Sequence, residues 1–598
     1  MSSSQKKKQR KQQQSAAMTE RQKNAQKEAK ELKGYTITFI VAMVLVVVLV
    51  ATIILQSPIT GMINRATIAV TIGEHQVDTG MLSYFYIDAI NNRYQTLYNY
   101  YGQYATYFLG FDVSKPLDEQ IQDKETGATW ADYFVDTAIE DATSVYALYD
   151  LAMAEGHQLT EDEQANLTSA AEYVELYATA YGYSNVSQYL KAMYGPGATE
   201  KSYNEYTAIN AMASSYYTAH GEELRDSYTV EDFREYEKGK EKEYSSFNYL
   251  YYKINVSNYI EGEKVEQEDG TKDYTAEQKA AALEKAMADR DILMSSDITD
   301  FESFNKAIQA LEINKPKEET KTEKSTEATE GTEGTEPSEG TEDEETDKET
   351  DKESTTKLPE CTKAEDVLYS SLLSDLKKWL TAEERKEGDL GCVELPVPAE
   401  EDEDSETTGT TATTEKPETT GFYIVLFQSE NLNEMKLVDI RHILIKPTGG
   451  TYNSSTGQTT YTDAEKAAAL KTANELLTQW KQNPTKENFI ELCKANSKDS
   501  NAADGGIYED VYPGQMVTEF NDWCFAEGRQ VGDTGVVETT YGAHVMYFEG
   551  FSELTYRDFL IRNAKLTEEM EDWHESIVDA VTVTRGDLSR METDYVFS

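Results

Sequence analysis

The sequence predicts an α+β multidomain protein: a single N-terminal transmembrane helix, a mostly helical domain, two related α/β units, the first degenerate, and a C-terminal helix. Three observations predict it. Tyr35 to Leu55 is an unbroken run of 21 apolar residues and Thr behind a basic tail. Helix-period apolar patterns with cap residues fill the next two hundred positions. Trp379 to Glu394 then recurs without gaps as Trp523 to Glu538.

The basic tail, 1–34, holds ten Lys/Arg against three Glu up to Lys33, a net of +7. The apolar run, 35–55, is long enough at about 1.5 Å per residue to span a bilayer. A basic flank stays in the cytoplasm. The expectation is therefore a cell-membrane protein inserted once, N-terminus cytoplasmic, main body extracytoplasmic. Gln56-Ser57-Pro58 offers no A-x-A cleavage site. The whole chain carries −53, which leaves about −60 beyond the tail, and such a surface excludes nucleic acid as a partner. Four cysteines in 598 residues make no disulfide scaffold. Cys361 and Cys392 could pair; Cys493 and Cys524 sit in apolar settings.

Residues 62–245 read as a helical domain. The strand Ile68–Ile72 leads into a helix from about Thr79. Thr129 is placed to cap the next helix, whose buried face runs through Trp130, Phe134, Ala138, Val145, Leu148 and Ala152 to a stop at Gly156. Thr160 with Glu163 forms a capping box for another. Helices follow over Tyr203–His220 and Val230–Lys242. The 40 tyrosines of the chain offer flat amphipathic surface as well as core packing.

Residues 246–430 and 436–552 form the repeat. Trp379, Arg385, Gly388, Asp389, Gly391, Val393 and Glu394 return at an offset of 144, where about one identity is expected by chance. Two acidic, Thr-rich tracts, 315–357 and 399–420, interrupt the first copy and hold too little apolar surface to fold.

The second copy carries the chemistry. Its pieces are Arg441-His442-Ile443-Leu444 on a strand, Ser497-x-Asp499, the pair Gly505-Gly506, Gly514-Gln515-Met516 with Phe520, and Tyr541-Gly542-x-His544. In this order and spacing they resemble the parvulin family of peptidyl-prolyl cis/trans isomerases over about 110 residues. The resemblance implies catalytic roles for His442, His544, Asp499 and Thr539, and a proline pocket of Met516 and Phe520 flanked by Tyr508 and Phe525, with no cofactor and no metal. Met516 and Phe520, at i and i+4, are expected on one helical face. The loop Pro447 to Tyr461 has no Lys or Arg, so recognition of phosphoserine-proline is not expected. Ile507-Tyr508 and Ala543 depart from the usual residues of the family.

Aligning Lys253 with Lys446 and Gly421 with Gly542 puts Tyr249 at the place of His442 and Tyr423 at that of His544. Leu372 and Leu376 stand for Met516 and Phe520. The first copy is therefore expected to be catalytically dead. The signature Thr129-Trp130-x-Asp132-Tyr133-Phe134 resembles the N-terminal chaperone module of PrsA- and SurA-type extracytoplasmic foldases. That resemblance implies unfolded secreted polypeptides as partners, and a C-terminal segment, 553–598, packed back on this module. The function expected is a membrane-anchored foldase that speeds Xaa-Pro isomerisation; a non-catalytic holdase is the alternative.

Overall fold

The computed structural model describes residues 4–8, 10–11, 59–266, 271–315, 358–396, 419–453 and 458–593. The architecture is mixed α/β and falls into two compact units, Met1–Tyr228 with Leu566–Ser598, and Thr229–Lys565. The single transmembrane helix is not part of it. Among the described residues no helix is long and apolar enough to cross a membrane, and 35–55 lie outside them. Residues 316–357 and 397–418, which hold nearly all of the two acidic tracts, also lie outside. Thr419 and Thr420, read as tract, open a strand.

In the first unit, Ile68–Ile72 pairs with His75–Asp78 on one side and Val583–Arg585 on the other. Asp78 caps the helix Thr79–Tyr101. Thr129 and Asp132 form a capping box for Trp130–Glu155, which Gly156 ends in a left-handed conformation. Thr160 and Glu163 do the same for Glu161–Ala180, and Glu200–Ser227 follows. Leu82, Tyr84, Ile90, Phe134 and Ala138 share one core. Within it the Tyr206 hydroxyl donates to Asp88 at 2.5 Å, which satisfies a carboxylate that burial would otherwise penalise. In the C-terminal part of this unit, Trp573 stacks on His220 at 4.0 Å.

The second unit contains two four-stranded antiparallel sheets of one design. The first runs Thr362–Leu368, Ser246–Asn255, Thr419–Asn431, Leu390–Pro396; the second runs Ile507–Val511, Lys436–Ile445, Gly542–Thr555, Thr534–Thr539. Alternation sends successive side chains to opposite faces. In the second sheet Ile443 and Val545 meet Ala473, Leu477 and Phe489 of the helices Asp463–Trp480 and Lys486–Asn496. Ile440, Met546 and Phe548 meet Phe520 of the helix Thr518–Cys524. The first sheet repeats this: Leu250, Phe422 and Ile424 face Ala286, Leu293 and Phe304, while Tyr249, Val425 and Phe427 face Leu376 and Leu380.

The recurring segment builds one device twice. Arg385 donates to the Trp379 carbonyl at 3.0 and 2.8 Å and its guanidinium lies 3.6 Å from the centroid of the Trp379 ring. Arg529 treats Trp523 in the same way, at 2.9 and 2.5 Å with 4.0 Å to the ring. A Cβ on Gly391 would fall 2.2 Å from Trp379, and one on Gly535 2.6 Å from Trp523. The indole needs the space, so only glycine serves.

One expectation is corrected, and one pairing left open by the sequence is decided. Tyr423 pairs with Lys253, as His544 pairs with Leu444, so Tyr251, not Tyr249, occupies the place of His442. A two-residue slip keeps every side chain on its face, so the apolar pattern could not detect it. Second, all four cysteines are free. Cys361 adjoins the edge strand Thr362–Leu368 and Cys392 lies on the opposite edge strand. At about 4.8 Å per strand they stand roughly 14 Å apart, beyond disulfide reach.

Candidate active site

His442 and His544 lie on adjacent strands, with Met546 opposite His442 and Leu444 opposite His544. They are therefore diagonal neighbours on one face, close enough for long or aromatic side chains to touch. Their rings stack with centroids 5.1 Å apart and Nδ1 to Nδ1 at 2.9 Å. Both are buried. Gly506 makes this possible: its carbonyl accepts from the His442 amide at 3.0 Å. At φ +70 a Cβ there would stand 2.2 Å from the His442 carbonyl oxygen. Arg441 secures the same turn, donating to the Asp504 and Gly505 carbonyls at 3.0 and 3.1 Å.

The protons follow from the partners. The Thr539 hydroxyl oxygen accepts from the Tyr541 amide at 3.1 Å and lies 2.8 Å from His544 Nε2; with the ionised Asp499 drawing the His442 proton to Nε2, the hydroxyl is the donor of that pair. His544 then carries its proton on Nδ1 and donates to His442 Nδ1. His442 carries its own on Nε2, 3.6 Å from an Asp499 carboxylate oxygen. Burial, then the neighbouring His442, push His544 down to about 4, so it is neutral at pH 7. Asp499 is held below the usual carboxylate range, first by His442 and further by the Asn501 amide and the Tyr508 hydroxyl. The Tyr508 hydroxyl donates to Asp499 at 3.1 Å; burial and that carboxylate push it up to about 12. Asp499 stays ionised, which favours a proton rather than a lone pair on the facing His442 nitrogen. Thr539, His544 and His442 form one hydrogen-bonded chain, and the buried His442 Nε2, without a hydrogen-bond partner among the described residues, faces the Asp499 carboxylate across 3.6 Å.

A cavity of about 460 Å³ opens over this chain, lined by His442, His544, Asp499, Tyr508, Met516 and Phe520 among others. Phe520 stands edge-on to both imidazoles, 5.3 and 5.4 Å from them. Met516 lines the cavity from the turn before the helix Thr518–Cys524, so the expected i, i+4 helical pair is corrected: the turn through Gly514 delivers the side chain. Phe525 ends that helix, packs among the core residues beneath the sheet, and does not line the cavity.

Sequence reading missed Ser497, Cys493 and Arg441 as positioning residues. The Ser497 hydroxyl accepts from the Leu444 amide at 3.1 Å and the Asp499 amide at 3.3 Å. The Cys493 thiol, pushed up by burial, donates to the His442 carbonyl at 3.3 Å. Ser497 and Arg441 stand inside the motifs; Cys493 carries no sequence signal beyond helical spacing.

Residues 424–549 match the family model described as the PPIC-type PPIASE domain. No curated protein matches the chain. Among solved structures, the peptidylprolyl isomerase PrsA from Bacillus cereus is similar at 22% identity and TM-score 0.16, covering 27% of this chain and 56% of that one. PrsA from Bacillus subtilis is similar at 20% and 0.17, covering 26% and 54%. The peptidyl-prolyl isomerase ESS1 from Candida albicans is similar at 24% and 0.15, covering 19% and 63%. The chain thus spans between about half and two thirds of these proteins. It carries a parvulin-type peptidyl-prolyl isomerase domain.

Proposed function

We propose that the chain is a foldase acting on unfolded secreted polypeptides outside the cytoplasm, and that His442, His544, Asp499 and Thr539 isomerise Xaa-Pro bonds seated against Met516 and Phe520, with no phosphate required. The observation that carries this reading is the buried imidazole pair, fixed at 2.9 Å beneath an apolar cavity. Rotation about an Xaa-Pro amide meets a barrier of about 20 kcal/mol because the planar amide is resonance-stabilised. Catalysis needs tighter binding of the twisted amide than of either planar form. Met516, Val517 and Phe520 supply an apolar seat for the ring. The polarised chain presents fixed dipoles and the Asp499 charge to a carbonyl that loses conjugation. Neither histidine serves as a base: His544 stays neutral, and its proton is engaged with His442. No bond is made or broken.

The first copy is proposed to be non-catalytic, with Tyr251 and Tyr423 in place of the imidazoles, and the helical unit to hold clients. The signature Thr129 to Phe134 supports an extracytoplasmic client-holding module. One observation favours the second reading, a holdase with an incidental isomerase: Tyr100 and Tyr107 are 80% and 81% exposed, and such aromatic surface can engage unfolded chains without strict geometry. NMR exchange spectroscopy on Xaa-Pro peptides, with the full chain and its His442→Ala form, tests the choice. Enhanced exchange in the parent that falls in the variant is expected. Absence of enhancement in the parent, with client aggregation still suppressed, would leave the holdase.

A further inference from the structure

We propose that Tyr508 is a positioning residue of the isomerase: it holds the Asp499 carboxylate back from His442 and so leaves the buried His442 Nε2 proton to the twisted amide of the substrate. The proposal deepens the isomerase reading above and rests on it. Tyr508 stands where the sequence departs from the usual residues of the family, so the role belongs to this chain.

Three donors surround one oxygen. Asp499 Oδ1 accepts from the Asn501 amide and from the Tyr508 hydroxyl, each at 3.1 Å. The same oxygen faces His442 Nε2 across 3.6 Å, too far for a hydrogen bond. That nitrogen is buried and has no hydrogen-bond partner among the described residues. A buried N–H left unpaired costs about 1–3 kcal/mol. A small turn of the carboxylate toward the imidazole would replace that cost with a charge-assisted bond. Tyr508 and Asn501 already engage the oxygen and resist the turn.

The surroundings keep the Tyr508 hydroxyl in place. Tyr508 lies on the edge strand Ile507–Val511, opposite Ile440. Its ring packs with the core residues beneath the sheet and stands 5.3 Å from the His442 ring. Burial and the carboxylate push its hydroxyl up to about 12, so it stays a donor at neutral pH. The Asp499 backbone is fixed as well. Its amide donates to the Ser497 hydroxyl at 3.3 Å, and its carbonyl accepts from the Ala502 amide at 3.3 Å. The direction of the carboxylate is then left to Tyr508 and Asn501.

The unpaired His442 N–H lines the same cavity as Met516 and Phe520. A planar Xaa-Pro amide offers it no acceptor on nitrogen, because that lone pair is delocalised into the carbonyl. As the bond twists, the lone pair returns to the proline nitrogen and accepts a hydrogen bond. A donor that finds its acceptor only in the twisted form lowers the barrier without tightening the substrate complex. An Asp499 closed on His442 would take that proton and remove the effect.

The test is a double-mutant cycle on the full chain, read by NMR exchange on the peptide Ala-Leu-Pro-Phe. Tyr508→Phe keeps the ring and removes the hydroxyl. It is expected to lower kcat by about five- to twentyfold and to leave KM within about twofold. In the Asp499→Asn background the same change should cost less than about twofold, because Tyr508 acts through Asp499. Imidazole 1H–15N spectra read the cause directly: in Tyr508→Phe the His442 Nε2 proton should move downfield as the carboxylate closes on it, while the His544 signals stay in place. An unchanged kcat in Tyr508→Phe, an equal loss in both backgrounds, or no downfield shift would overturn the positioning role and leave the isomerase standing. Absence of enhanced exchange in the parent would overturn both readings.

Discussion

The two sheets of the second unit share strand order, helix cover and the Trp-Arg-Gly device, yet they differ at the two positions proposed to carry the chemistry. In one, Tyr251 packs on Tyr423 with ring centroids 5.3 Å apart; in the other, His442 stacks on His544 at 5.1 Å. Tyrosines fill the same space, but they offer no counterpart to the imidazole pair that links Thr539 to His442. The two copies thus keep one scaffold, held by packing at the recurring Trp-Arg segment, while differing in the pair of side chains proposed to carry the chemistry.

The largest expected effect breaks the symmetry directly. His544→Ala should lower kcat/KM for Xaa-Pro isomerisation by about 10- to 100-fold, whereas Tyr423→Ala should leave it within about twofold. A comparable loss from Tyr423→Ala would show that the first copy contributes. Placing histidines at both Tyr251 and Tyr423 in the His544→Ala background should restore no activity, because Thr362 pairs with Tyr251 at the register where the second copy has Gly506 against His442.

That register gives a second contrast, in stability. Gly506→Ala should cost about 2–4 kcal/mol, since the Cβ meets both the His442 carbonyl oxygen and, at 2.7 Å, the Cys493 sulfur. Thr362→Ala, at an exposed edge position, should cost under about 0.5 kcal/mol. Urea midpoints measure both; equal costs would refute the glycine requirement.

Acid should also act on the catalytic copy. The folded pKa of His544, about 4, lies below the ordinary histidine value of 6.5, so between those values the unfolded chain binds the extra proton. Stability from this group is full above about pH 6.5 and is lost as pH falls toward 4, on the order of 3 kcal/mol. Asp499, held low, loses its contribution in the same direction at lower pH. Isomerase activity should be flat from pH 6.5 to 8 and fall toward pH 4. A rise on acidification would contradict a neutral His544.

The device common to both copies should respond alike. Arg385→Ala and Arg529→Ala should each cost about 1–2 kcal/mol, since each removes two hydrogen bonds to a carbonyl and a cation over an indole. A large difference between them would break the equivalence. The smallest effect expected is from reductant: the melting temperature should not move, because the four thiols are free.

Much of this was legible before any coordinates. Local signals act through neighbours in the chain: Thr129 and Thr160 cap the helices they precede, and Gly156 ends one because only a left-handed turn fits there. The constant offset exposed the device, since a Trp, an Arg and two glycines must all be present for it to close. The site was legible through motif order: His442, His544, Asp499, Thr539, Tyr508, Met516 and Phe520 converge. The seat of Met516 was misread because i, i+4 spacing holds equally across a turn and along a helix. Phe525 was misplaced because it follows the helix that carries Phe520 but turns to the core.

What the sequence determined by itself was therefore periodicity, caps, the repeat and the motif residues that gather at the candidate site, all set within a few residues or by direct recurrence. Only the tertiary structure decided register and partners. Strand pairing set Tyr251 rather than Tyr249 beside Tyr423, since both fit the same alternation. Sheet order put Cys361 and Cys392 on opposite edges. Burial fixed His544 as neutral, and strand pairing set His442 diagonal to it. These depend on contacts between residues far apart in the chain, whose energies no local pattern records.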